Sequence, residues 1–185
     1  VGSEYSTWGT PWYFGKNPSY SITCAFPSKL KELILSGTFE YVSRFHIIDF
    51  DYSCCGGVFP IFDDGGFNLR SELGPNQFMA EIGYDTTGGS AYTSVTNFAK
   101  NGRYEVHFSC INFYCTCYIN GQKASSKTIK PTTTLSINSF KIGAGESGAN
   151  EYAYGNIYSL CFSGDGTGNS TSHISSHPKA SLVLP

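Results

Sequence analysis

Asp49–Phe50–Asp51 is the pair of side chains best spaced for acid–base chemistry in this sequence. In an extended strand the i, i+2 spacing puts both carboxylates on one face. Cleavage of a glycosidic bond needs two carboxyl groups roughly 5–10 Å apart. The same spacing describes a solvated strand face, which is the plainer reading, or a calcium-binding rim. Asp63–Asp64–Gly65–Gly66 offers hard oxygen ligands on a bent loop, the kind calcium takes. Asp-Gly is also the ordinary chemistry of a hairpin turn, and that reading is favoured. His46, His107, His173 and His177 form no H-x-x-x-H or H-E-x-x-H pair, and no G-x-S-x-G elbow occurs. His46 and His107 are expected on outward faces, as surface histidines. No catalytic constellation assembles from these residues.

The seven cysteines are Cys24, Cys54, Cys55, Cys110, Cys115, Cys117 and Cys161, and their spacings match no zinc pattern. An odd number cannot pair fully within one chain. On a core face Cys110, Cys115 and Cys117 act as small apolar fillers. In an oxidising compartment Cys110 and Cys115 can instead close a cross-strand disulfide.

Aromatic side chains are the better functional lead. Tyr114 and Tyr118 fall on an expected wet face; Trp8, Trp12, Tyr13, Tyr84, Tyr92, Tyr152 and Tyr154 fall in or beside expected loops. Such rings anchor interfaces because an apolar body is joined to a polar rim. The competing reading is that several fill the core or cover sheet edges. Tyr84 to Tyr92 and Glu146 to Tyr154 are the two loop clusters; with Tyr114 and Tyr118 they give a ligand-binding set of Tyr84, Tyr92, Tyr114, Tyr118, Tyr152 and Tyr154.

Short strands must position these residues. From Thr38 the apolar period is two: Phe39, Tyr41, Phe45 and Ile47 share one face, while Glu40, Arg44 and His46 face away. At Ile47–Ile48 the phase flips, as at a bulge or corner. Arg103 to Gly121 reads as a hairpin turning at Asn112–Phe113. That turn sets Cys110 opposite Cys115, Phe108 opposite Cys117 and Val106 opposite Ile119. Glu105, His107, Ser109, Tyr114, Thr116 and Tyr118 then take the other, wet face. Asn120–Gly121 makes a second tight turn. Further strands are expected near 21–26, 58–62, 67–72, 77–84, 126–129, 135–142 and 156–162. The stretch from Thr86 to Ser90 is expected as a loop, and Pro27 to Ile34 is the only helix-like patch.

Residues 1–20 read as an arm wrapping the body, 21–162 as the domain, and 163–185 as a linker or docking arm. The 185 residues contain 21 glycines, with 16% aromatic and 14% charged side chains, which suits an all-β sandwich rather than a disordered chain. A net charge of −2 without a basic stripe argues against nucleic-acid binding. No apolar run reaches the ~18 residues of a membrane span, and no signal peptide is visible.

Tyr118–Ile119–Asn120–Gly121, Lys141–Ile142–Gly143 and Gly155–Asn156–Ile157–Tyr158–Ser159–Leu160 together resemble the C-terminal half of laminin-G-like, or concanavalin-A-like, jelly rolls. Ser36–Tyr41 resembles the first long core strand of that family, and Phe67–Leu69 a later one. The resemblance implies an antiparallel two-sheet β-sandwich and leaves function open, because the fold hosts lectins, adhesion modules, viral fibre tips, glycosidases and lyases. The E-x-D-x-E strand of its retaining glycosidases is absent here. The rim metal common in laminin-G-like domains implies calcium near Asp63, Asp64 and Glu146. The leading expectation is a non-catalytic module, extracellular, on a cell surface or on a virion, that binds a glycan or a cell-surface protein. The alternatives are a virion or appendage subunit docking on neighbouring copies through its arms, and a polysaccharide-cleaving enzyme using Asp49 and Asp51.

Overall fold

The computed structural model describes residues 8–9, 11–15, 22–25, 27–48, 58–63, 68–74, 77–84, 89–96, 101–129, 139–142 and 154–164, with backbone alone between 58 and 96 and at 140–141. The elements run β1 (Trp12–Phe14), β2 (Ile22–Ala25), α1 (Ser28–Ser36), β3 (Phe39–Ile47), β4 (Val58–Asp63), β5 (Asn68–Gly74) and β6 (Gln77–Tyr84). Then come β7 (Gly89–Thr96), β8 (Arg103–Ile111), β9 (Tyr114–Ile119), β10 (Gln122–Thr128), β11 (Ser139–Ile142) and β12 (Gly155–Ser163).

One layer is a six-stranded antiparallel sheet in the order β1-β12-β3-β8-β9-β10. The other is built from the β4-β5-β6-β7 sheet and the β2-β11 pair, with β11 running beside β4 and β7 beside β10. The period-two pattern builds the interior directly. Phe162, Tyr41, Phe108 and Cys117 make one row across β12, β3, β8 and β9, and Ile157, Phe45 and Tyr104 another. All seven are buried. Fully burying one such apolar side chain contributes about 1.5–3 kcal/mol, so these rows dominate the stabilisation. Ile22 and Cys24 of β2 and Ile142 of β11 close the interior from the other layer.

The helix lies close to its expected place and has defined ends. Pro27 caps its start in an extended conformation (φ −64°, ψ 138°), and Gly37 ends it in the left-handed region (φ 68°), its N–H donating to Ile34 O. Leu30 and Ile34 are buried against the sheet.

The β8–β9 hairpin has the expected register, Cys110 opposite Cys115 and Val106 opposite Ile119. Its turn residues Asn112 and Phe113 both have positive φ (48° and 65°), the pair of values a tight hairpin needs. For a bulky residue such as Phe113 that backbone costs about 1–2 kcal/mol. Three hydrogen bonds hold it: Phe113 N–H to Gly37 O (2.9 Å), Ile129 N–H to Phe113 O (2.8 Å) and Asn112 N–H to Thr38 Oγ1 (3.1 Å). The Phe113 ring packs on the core over the helix C-cap, where a Cβ at Gly37 would lie 2.6 Å from it. Asn120 and Gly121 form the second turn, also with both φ positive (49° and 78°).

Two expectations change. Trp12–Phe14, expected as part of an irregular arm, forms an edge strand, Trp12 opposite Ile157; with three residues it is too short for a period to show. Residues 89–96 form β7, so Tyr92 lies inside a strand opposite Glu81 rather than in a loop. Its serines, threonines and paired glycines read as loop, while pairing with β6 decides otherwise. The strand expected over 135–142 lies in part outside the described residues; its described part is β11, from Ser139.

Two predictions follow from the core and the turn. Burial pushes the Cys117 thiol up from an ordinary value of 9.0 to about 12 and raises the Tyr41 hydroxyl. Above the ordinary thiol value the unfolded chain releases protons that the fold retains, so stability falls as pH rises. The urea midpoint should therefore drop between about pH 8 and about pH 10.5, and Cys117→Ala should lessen that drop; a midpoint flat over this window contradicts the assignment. Gly37→Ala forces both a left-handed alanine and an overlap with the Phe113 ring. It should cost about 2 kcal/mol or more, lowering Tm by roughly 4–8 °C in a calorimetric scan.

Candidate functional site

The solvent side of the six-stranded sheet carries the polar half of the period-two pattern. Its β8-β9-β10 end forms a grid. Tyr114 lies opposite Ile111 and Thr128, Thr116 opposite Ser109 and Ser126, and Tyr118 opposite His107 and Lys123. Tyr114 is 49% and Ile111 47% exposed, and the Tyr114 hydroxyl donates to Ser126 Oγ at 2.8 Å. Tyr118 lies four residues along β9, about 13 Å away at the rise of a strand. It is half-buried, stacked on His107 with ring centroids 5.3 Å apart and planes at 21°. The two aromatics expected on this face therefore share it, with Tyr114 the more accessible.

His107 departs from expectation. It is 3% exposed, and its Nε2 lies 3.3 Å from Glu40 Oε2, itself buried. The phase of β8 is as expected, but β8 is an inner strand, so Glu40 from β3 and Tyr118 from β9 shield the ring. Its Nδ1 has no hydrogen-bond partner among the described residues. His46 is half-buried and does face outward. Asn156 Nδ2–H donates to its Nδ1 (3.2 Å) and its Nε2–H donates to Asn101 Oδ1 (2.6 Å), which uses both ring nitrogens.

At the β12-β3 end the side chains form a ladder that the sequence pattern did not reveal. Tyr158 is the extra residue of a bulge between Ile157 and Ser159, and a bulge re-aims side chains. Trp8 packs edge-on against it at 5.3 Å. The Arg44 guanidinium lies 5.8 Å from the centroid of the Trp8 ring, and that of Arg103 lies 5.6 Å from the Tyr158 centroid. Arg44 Nε–H also donates to Glu105 Oε2 at 2.7 Å. Glu105 and Glu40 are the two acidic side chains this face presents from β3 and β8. Glu40 stands opposite Ser109 and Arg44 opposite Glu105, a four-residue offset of about 13 Å. Each carboxylate already has a cationic or imidazole partner.

Cys110 and Cys115 are joined by a disulfide; both are buried beneath the exposed Ile111–Tyr114 pair. The apolar-filler reading therefore holds for Cys117 and not for these two. By loop entropy the short closed ring contributes about 2 kcal/mol. Burial also raises the half-buried Cys161 thiol, with Arg44 opposing that shift.

Asp49, Asp51, Asp64, Glu146 and Tyr152 lie outside the described residues, as do Cys54, Cys55 and nearly all of the 163–185 arm. Asp63 ends β4 opposite Asn68, and Tyr84 ends β6 opposite Gly89, both known by backbone alone. Tyr154, half-buried, precedes β12, and its carbonyl accepts the Ile48 N–H at 3.0 Å. The calcium set is thus not assembled by the described residues, among which no group of three or more His, Cys, Asp or Glu could hold a metal ion. Nor is any helix among them long and apolar enough to cross a membrane.

No protein-family model matches the chain, and no curated protein does. Solved structures match in three dimensions. A sialidase of Trypanosoma rangeli, in complex with 2,3-difluorosialic acid, aligns at TM-score 0.57 and 14% identity over 83% of this chain and 25% of its own. The LG4-5 domains of the mouse laminin α1 chain align at 0.54 and 13% over 96% of this chain and 48% of theirs. Botulinum neurotoxin type C, which gets into cells in dependence on two ganglioside molecules, aligns at 0.55 and 12% over 85% and 43%. This chain spans between a quarter and a half of each of those. With the two antiparallel layers and the register of β3, β8, β9 and β12, these likenesses show that the chain has the laminin-G-like, concanavalin-A-like jelly-roll fold.

Proposed function

We propose that this domain is a non-catalytic recognition module that binds a glycan on the outer face of β8-β9-β10, with Tyr114 as the stacking ring. The observation that carries the reading is the exposure of Tyr114 in a fixed orientation, its hydroxyl tied to Ser126. Thr116, Ser109 and Thr128 stand around it. A sugar needs this combination: an apolar ring face for its C–H surface and short hydroxyls for its own. A ring held in place loses little freedom on binding.

The fold supports the reading as analogy. The neurotoxin interacts with gangliosides, and the sialidase structure holds a sialic acid derivative. An extracellular or cell-surface location accords with it, because disulfides such as Cys110–Cys115 persist in oxidising compartments. Calcium at Asp63, Asp64 and Glu146 remains a separate proposal, to be read from binding with and without a chelator.

Tyr114→Ala should weaken binding of any glycan found by array screening about tenfold or more, equivalent to about 1.4 kcal/mol. Tyr114→Phe, which keeps the ring but loses its tie to Ser126, should weaken binding less than Tyr114→Ala. Tyr13→Ala, which removes an exposed ring on the far edge strand β1, should change nothing. Equal affinities of Tyr114→Ala and the parent protein in calorimetry would refute the assignment, and an array with no bound glycan would refute the reading itself.

A further inference from the structure

The β8–β9 tip holds two exposed side chains over an unusual amount of fixed structure. Beyond the disulfide the hairpin has one residue pair, Ile111 opposite Tyr114, and the two-residue turn. Both turn residues are left-handed and neither is glycine. Such conformations persist only where the surroundings over-determine them. The restraints here are the hydrogen bonds of Asn112 and Phe113 to Thr38, Gly37 and Ile129, the Phe113 ring over the helix C-cap, and the staple one pair below. Of these, the disulfide alone is covalent, and it alone depends on redox conditions.

We propose that Cys110 and Cys115 are positioning residues, whose disulfide sets the tip so that Tyr114 is displayed for binding only in the oxidised protein. This rests on the reading of Tyr114 as the recognition ring. Formation of the staple removes two thiol hydrogens as protons. The two electrons pass to a small-molecule disulfide of the glutathione class, through a mixed disulfide that the second cysteine resolves, releasing two small thiols. Reduction runs the same steps in reverse. Because both sulfurs are buried, a reductant reaches them only when the tip opens. Cys117 lies two residues along β9 on the same face, where it is an internal competitor. Its own burial raises its thiol pKa, and exchange requires the thiolate, so Cys117 does not readily attack the staple.

The test compares the intact oxidised chain, the chain reduced by a phosphine, and Cys110→Ser/Cys115→Ser, by amide hydrogen exchange and by glycan binding. The expected result is a tenfold or greater acceleration at the amides of Phe113 and Ile129 in both forms that lack the disulfide, with Val106 and Leu160 unchanged, and a matching loss of affinity. Unchanged exchange at Phe113 and Ile129 overturns the proposal. So does acceleration throughout the sheet, which would make the staple a global stabiliser. Loosened tip amides with undiminished glycan affinity also overturn it. If the tip loosens and no glycan binds either form, the positioning role stands and the glycan reading fails.

Discussion

The Asn112–Phe113 turn governs this domain because it sets the parity of β8 and β9. A two-residue turn with both φ positive aligns Cys110 with Cys115 and, by alternation, sends Val106, Phe108, Cys117 and Ile119 inward. One residue more in that turn would exchange the faces and bury Tyr114 and Thr116 in place of Cys115 and Cys117. The turn in turn requires the helix C-cap. Gly37 must be left-handed to end α1, and it must lack a Cβ to admit the Phe113 ring. Helix end, hairpin tip and core phase are therefore one constraint. The backbone cost at Phe113, about 1–2 kcal/mol, is comparable to what burying a large ring contributes.

This explains why the interior could be read from the sequence. Period two across Phe39–Ile47 and Tyr104–Ile119 is set by a buried face that tolerates no slip, and the Asn112–Phe113 and Asn120–Gly121 positions are where that period breaks. Legibility ended where the cause was not local. Trp12–Phe14 has too few residues to show a period, and β7 is polar enough to read as loop until β6 lies beside it. His107 shows the same limit at the level of one side chain. Its outward phase was readable, but its burial comes from Glu40 and Tyr118, 67 residues before it and on the next strand.

The candidate site was legible in part for the same reason. Tyr114 and Tyr118 were placed on one face by alternation alone, and the pairing of strands then distinguished them. Tyr118, beside an inner strand, is partly spent on His107, whereas Tyr114 near the tip stays open. The ladder of Arg44, Trp8, Tyr158 and Arg103 had no sequence signal, since it depends on a bulge in β12 and on a tryptophan 150 residues upstream of that bulge.

Exposure and rigidity ordinarily oppose each other at a hairpin tip, since the residues with fewest neighbours are the freest to move. Here Ile111 and Tyr114 are open to solvent while the two residues between them are tied to the helix cap and to Ile129. A glycine-containing turn would set the same parity at less backbone cost, though without the Phe113 ring over the helix C-cap. The strained turn and the staple together restrict an exposed apolar pair to one orientation. For a surface that must meet a ligand, that restriction removes part of the entropy otherwise lost on binding.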